Sequence, residues 1–246
     1  NPMKLTRKSK AKGSILIFGA HPDDIEFGCG GIAASESLAG RTLHYVICSH
    51  GESGSFTDSK TRQKEATAAA KINHAHLHFL ELDGDAKLQI QTRHCLTLAK
   101  VIRSISPEIV LCPTTVKNQH PDHYKLGEMV RDAARLARYA GLEELKGFKA
   151  HKIKHLFFYA LSPSAEPTHK QPLHYDISSS GVLTRWKKMM LAHKSQVKSK
   201  KYVELQLSRA RVAGLSSGLE YAQTLFCEDN LVISALDTFT SSARSF

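Results

Sequence analysis

Short apolar runs rich in β-branched residues alternate with segments of helical period across residues 14–161, and this alternation limits the chain to few folds. Runs of five or so residues are too short for buried helices, and strands separated by helices build βα units around a mainly parallel sheet. The order is readable. Strand Ser14 to Gly19 leads into a helix from Ile25 to Ala39, which Gly40 caps, and strand Thr42 to Cys48 opens a polar loop from Ser49 to Ser59. Helix Lys60 to Ile72, strand His76 to Leu80, helix Gln89 to Ile105, strand Glu108 to Cys112 and helix His123 to Tyr139 follow, and Lys154 to Leu161 reads as a further strand.

Beyond that point the pattern changes. Pro163, Pro167 and Pro172 mark a loop, Gly181 to Gln196 reads as one helix around Trp186, Met189 and Met190, and Gly214 closes a helix from Val203 to Ala213. The segment Leu231 to Leu236 is too short to assign, and Ser241 to Phe246 reads as a frayed end. The expected fold is one α/β domain over residues 14–240 with a helical C-terminal layer, preceded by a basic, disordered tail over residues 1–13.

Composition narrows the class. With 41% hydrophobic and 23% charged residues the chain can bury an ordinary core, and no apolar run approaches the roughly 20 residues that cross a bilayer. The run after Lys4, Arg7, Lys8, Lys10 and Lys12 resembles a leader, but it is short and passes into His21-Pro22-Asp23-Asp24 without a small-residue cleavage site. Cys29, Cys48, Cys95, Cys112 and Cys227 are scattered within hydrophobic patterns, as expected of reduced thiols in a cytoplasmic protein. The net charge of +11 favours an anionic partner, and Leu183 to Arg211 is its most basic stretch, either a solvated helix face or a rim that attracts phosphate. No nucleic-acid-binding motif is present, so a small-molecule or glycan substrate is expected instead.

The chemistry lies in a repetition. His21-Pro22-Asp23-Asp24, followed by Gly28, is echoed by His120-Pro121-Asp122-His123, followed by Gly127, and each copy sits between a strand and the next helix. In an open parallel sheet such loops emerge together at the carboxyl ends of the strands, so motifs far apart in sequence can meet. Together they offer imidazoles and carboxylates, the ligand set of a divalent zinc site with one position left open. Proline and acidic residues are also ordinary helix-start chemistry, but that reading does not account for two copies at equivalent junctions.

The segment Ile15 to Gly31, ILIFGAHPDDIEFGCGG, resembles the N-terminal signature of the PIG-L/LmbE-like zinc-dependent de-N-acetylases, and Asn118 to Gly127, NQHPDHYKLG, resembles their second signature. The similarity continues through Gly51-Glu52-x-Gly54, Arg62-x-x-Glu65, Asp83-Gly84, Ala192-His193-Lys194-Ser195-Gln196 and Gly218-Leu219-Glu220-Tyr221-Ala222. The resemblance implies a Rossmann-like three-layer α/β/α fold and one zinc ion per chain, with another divalent ion as the alternative. It implies that His21, Asp24 and His123 bind the metal, that Asp23 takes a proton from the attacking water, and that a protonated His120 faces the oxyanion with Asp122 holding its ring. Either Asp23 or His120 can return the proton to the departing amine.

By the same resemblance Arg62 contacts substrate, although an Arg62 to Glu65 helix-face pair is the plain alternative. Glu52 is placed at the pocket, Asp83 against sugar hydroxyls, and His193 either in the pocket or in the core. Where the family has Thr-Asp-Gly-Glu, this chain has Ser49-His50-Gly51-Glu52, and His50 becomes an additional candidate ligand or proton donor. The implied reaction removes an N-acetyl group from an amino sugar such as N-acetylglucosamine in a glycan or glycoconjugate. The alternatives are hydrolysis of another N-acyl or ester substrate and non-catalytic retention of anionic glycans, and the resemblance allows a homo-oligomer.

Overall fold

The computed structural model describes residues 13–54, 57–117, 120–198 and 200–235. The expectations for the basic tail over residues 1–12, for Asn118 and for the last residues, 241–246, fall outside them. Five strands, β1 (Ile15–Gly19), β2 (Leu43–Ile47), β3 (His76–Phe79), β4 (Ile109–Pro113) and β5 (His155–Tyr159), form a wholly parallel sheet in the order β3-β2-β1-β4-β5. β1 is buried along its whole length, which suits its continuously apolar sequence to a central position with helices on both faces. The chain builds the sheet outward on one side of β1 and then crosses to the other. The loops after β1 and β4 therefore open into the crevice at this reversal of strand order, where α/β folds place their ligands.

Helices α1 (Asp24–Leu38) and α2 (Ser59–Ile72) cover one face, and α3 (Thr92–Ile105) and α4 (Pro121–Leu136) cover the other. Gly40 ends the first helix at φ +80, with Arg41 donating its N–H to the Glu36 carbonyl, the capping role its position predicts. α1 lies unusually close to its neighbours. A methyl group on Gly28 would overlap the Tyr159 ring, and one on Gly30 would lie 2.6 Å from Trp186. Those aromatics use the space fully: Tyr159 donates to the Phe18 carbonyl (2.7 Å) and Trp186 to the Glu26 carbonyl (2.7 Å). The equivalent glycine of the second motif, Gly127, lies against the Pro113 carbonyl and seats α4 on β4.

The C-terminal layer departs from the sequence reading in three places. The helix expected over Gly181 to Gln196 is two helices, α5 (Ser180–Ala192) and the short α6 (Lys194–Val197), broken at His193 (ψ 60), whose ring is fixed to Glu26 at 3.1 Å. Gly214 does not close the next helix, α7 (Tyr202–Leu215); it lets the chain return over it, with Tyr221 Cα 2.6 Å from where its Cβ would be. β6 (Leu173–Asp176) and β7 (Ala222–Leu225) pair antiparallel as a second, two-stranded sheet that the sequence did not reveal.

Candidate metal centre

His21 and Asp24 are delivered by the turn from β1 into α1, and His123 by the first turn of α4. Asp24 is fixed by its own turn, with Oδ2 accepting the N–H groups of Ala20 (2.8 Å) and His21 (2.9 Å). Two ring nitrogens and both oxygens of the Asp24 carboxylate then face one another. His21 Nδ1 lies 3.2 Å from His123 Nε2 and 3.5 Å from Asp24 Oδ2, and His123 Nε2 lies 3.1 Å from Asp24 Oδ1. These three residues form a group that could hold a metal ion.

The opposite edge of the His21 ring decides which nitrogen is available. Nε2 lies 3.1 Å from both Asp122 Oδ2 and Asp85 Oδ1, so in the neutral ring these carboxylates hold the proton on Nε2 and the Nδ1 lone pair faces Asp24 and His123. Asp122 is in turn held by the Ala86 N–H (2.8 Å), and Asp85 by the Ser53 N–H (3.1 Å). Burial works against charge on His21, yet Asp24, Asp122 and Asp85 together raise its pKa well above the ordinary value. Burial likewise opposes ionisation of Asp24, but His123 and His21 hold it well below the usual carboxylate range. The cluster is organised around positive charge.

This geometry revises the part expected of Asp122. Its carboxylate is 3.8 Å from His120 and closer to His21; its backbone N–H instead donates to His120 Nδ1 at 3.3 Å. That bond leaves the His120 proton on Nε2, whose nearest carboxylate oxygen, on Asp85, is 4.0 Å away. Burial, followed by the charge of His21, lowers the pKa of His120.

Asp23 stands beside the cluster in a strained backbone, φ +124, which costs a non-glycine residue of order 1–3 kcal/mol. Arg62 holds it there, donating from Nη2 to the Pro22 carbonyl (2.8 Å) and to Asp23 Oδ2 (3.2 Å). Burial pushes the Asp23 carboxyl up to about 6, the Arg62 charge opposing it. The helix-face pair considered for Arg62 does not form, because Glu65 instead accepts the N–H and hydroxyl of Ser195 (2.8 and 2.6 Å).

His21, Asp23, Asp24, Arg62, His120 and His123 all line one cavity of about 510 Å³. Its wall also takes Asp85, Gln196, Lys200 and Tyr202, and Lys200 is the member of the basic stretch found there. Other candidates lie elsewhere. Asp83 turns away to His94 (2.8 Å) and the Gln89 N–H (2.9 Å). Glu52 supports the loop from beneath by accepting the Asp85 N–H at 2.7 Å; His193 is fully buried against Glu26; and His50 packs on Phe79. Asp85 is the member the sequence reading missed. Asp83 and Asp85 flank Gly84 (φ +88), and nothing local says which of the two turns inward.

Residues 16–134 match the family model described as PIG-L: GlcNAc-PI de-N-acetylase. Over these residues, just under half of its length, the chain is similar to the PIG-L family. A 4-oxalmesaconate hydratase of Pseudomonas putida is 29% identical over 140 residues, 52% of this chain and 54% of its own length. A diacetylchitobiose deacetylase of Thermococcus kodakarensis is 27% identical over 178 residues, 67% of this chain and 63% of its own length. The chain thus spans less than two thirds of the curated relatives it matches. Among solved structures, a conserved protein of Thermus thermophilus superimposes with a TM-score of 0.79 at 27% identity, covering 90% of this chain and 97% of that one. The PIG-L match covers both His-Pro-Asp turns and ends within α4.

Because Asp85 and Asp122 share the His21 proton, Asp85→Asn is expected to weaken divalent-metal retention about tenfold without unfolding the chain. Competition against a chromophoric chelator measures this, and an unchanged affinity removes Asp85 from the orienting role.

Proposed function

We propose that the chain is a zinc-dependent hydrolase that removes an N-acetyl group from a small amino sugar or glycoconjugate, releasing acetate and the free amine. The observation that carries this reading is the spacing of His21 Nδ1, Asp24 and His123 Nε2 at 3.1–3.5 Å. Ligand bonds of about 2.0–2.1 Å in a tetrahedron place neighbouring ligand atoms roughly 3.3 Å apart, so the donor set fits zinc in spacing as well as in type. When bound, the ion would polarise the amide carbonyl and activate a water molecule.

The protein's own groups complete the reaction. Asp23, on the cavity wall and steadied by Arg62, takes the proton from the attacking water. His120 directs its Nε2–H into the cavity and stabilises the carbonyl oxygen as charge develops there, while Asp85 and Asp122 keep His21 in the ligating tautomer. The C–N bond then breaks and Asp23 passes the proton it took to the departing amine. The sugar assignment is supported by the PIG-L match and the deacetylase relative. An anionic substrate is supported by the net charge of +11 and by Lys200 in the cavity wall.

A second reading is addition of water to a small unsaturated acid, which needs the same activated water and is favoured by the hydratase relative. Product analysis separates the two. The purified chain, with and without chelator, is offered a panel of N-acetylated amino sugars and a conjugated unsaturated dicarboxylate. Chelator-sensitive acetate release is the expected result. Loss of ultraviolet absorbance from the dicarboxylate, without acetate from any sugar, replaces the deacetylase reading with the hydratase one.

A further inference from the structure

The sheet face beneath α3 and α4 is apolar along its rows until it reaches the β3 edge. One row passes from Leu156 through Val110 and Leu16 to His44 and then His76, and the next passes from Phe18 through Val46 to His78. The apolar members all belong to one buried core, whereas His76 and His78 are exposed. Residues two apart on a strand share a face, so β2 and β3 gather three imidazoles on one side of the edge. The His44 ring is nearly parallel to that of His76 (centroids 5.0 Å apart, 26°) and to that of His78 (6.1 Å, 14°).

Protection of an edge strand from pairing with other chains would explain polar side chains on β3. It does not explain His44, which lies one strand inward and whose Nδ1 is closed off from water with no hydrogen-bonding partner. Burial, followed by the neighbouring His76 and His78, lowers the His44 pKa, so its ring is neutral at pH 7 and keeps a lone pair to give.

We propose that His44, His76 and His78 form a second metal site, taking one divalent transition-metal ion such as zinc or copper. Imidazoles without carboxylates suit such ions and not magnesium or calcium. Directly paired residues of neighbouring strands stand about 5 Å apart, so binding an ion requires the exposed His76 and His78 side chains to rotate toward His44. His44 and His76 lie near the start of β2 and β3 and His78 two residues further along, and none of them lines the cavity of the His21 cluster. The two ions are therefore independent.

The test is equilibrium dialysis of the chelator-stripped full chain against zinc. His76→Gln/His78→Gln is expected to bind one equivalent less than the unaltered protein and to keep its catalytic activity, whereas His123→Ala loses a different equivalent. Copper added to the chelator-stripped His123→Ala chain is expected to give an electron paramagnetic resonance spectrum with coupling to imidazole nitrogen, lost when His76→Gln/His78→Gln is added. Equal zinc stoichiometry with and without His76 and His78, or a copper spectrum lacking nitrogen coupling in the His123→Ala chain, overturns the proposal. Loss of the His123 equivalent alone would bear on the catalytic centre and leave this site intact.

Discussion

Asp23→Asn is expected to slow turnover by about 10²–10⁴-fold while leaving metal content unchanged. Asparagine keeps the size and hydrogen-bonding reach of the side chain and tolerates positive φ, so the strained turn at φ +124 and the bond from Arg62 can both persist. What is lost is the ability to take a proton. The same substitution has a second signature in the metal-free protein. Burial raises the Asp23 pKa to about 6 in the fold, against an ordinary value of 3.8, so the folded chain binds more protons than the unfolded one between those values. Stability of the unaltered protein therefore falls as pH rises through this window. Asp23→Asn escapes that penalty: it should be the more stable protein above pH 6, by up to about 3 kcal/mol, with the advantage gone below about pH 4. Chemical denaturation across pH measures the second effect and steady-state kinetics with metal analysis the first. A fully active Asn variant, or one that loses its metal, denies Asp23 the part of the base.

The sequence made the parallel sheet legible because each strand is a short apolar run and each connection a full helix, a pattern set by local composition. The site was half legible for a related reason. Both His-Pro-Asp turns fall at strand-to-helix junctions, and the β3-β2-β1-β4-β5 order makes β1 and β4 neighbours across the crevice. What escaped depends on distant partners. β6 and β7 are short and half-exposed or polar, and each becomes a strand only by pairing with the other. The helix break at His193 follows from its bond to Glu26 on α1. Asp122 was read as the partner of its neighbour in sequence, His120, but the fold brings it His21 instead, and with it Asp85 from the loop before α3. A motif names the ligands; the groups that orient them are gathered by the fold.

Two clusters share His21, and replacing one histidine in each tells them apart. His21, Asp24 and His123 offer ligand atoms on one edge of the His21 ring; His21, Asp85, His120 and Asp122 gather on the other. On the second edge His120 stands off at 3.8–4.0 Å from the carboxylates. The first edge has tighter spacing, with His123 Nε2 at 3.1 Å from Asp24 Oδ1 and 3.2 Å from His21 Nδ1. His123→Ala is therefore expected to lose the catalytic metal and to drop activity to background, at least about 10³-fold. The fold should survive, because α4 is anchored by Leu126, Met129, Val130 and Ala133 rather than by its first turn. Chelation of the unaltered protein should reproduce the inactive state, and dialysis against zinc should restore activity there but not in the variant. His120→Ala should keep the metal and lose rate. If instead His123→Ala retains its metal and His120→Ala sheds it, the ion belongs on the Asp85 side, and Asp24 and His123 become its supporting groups.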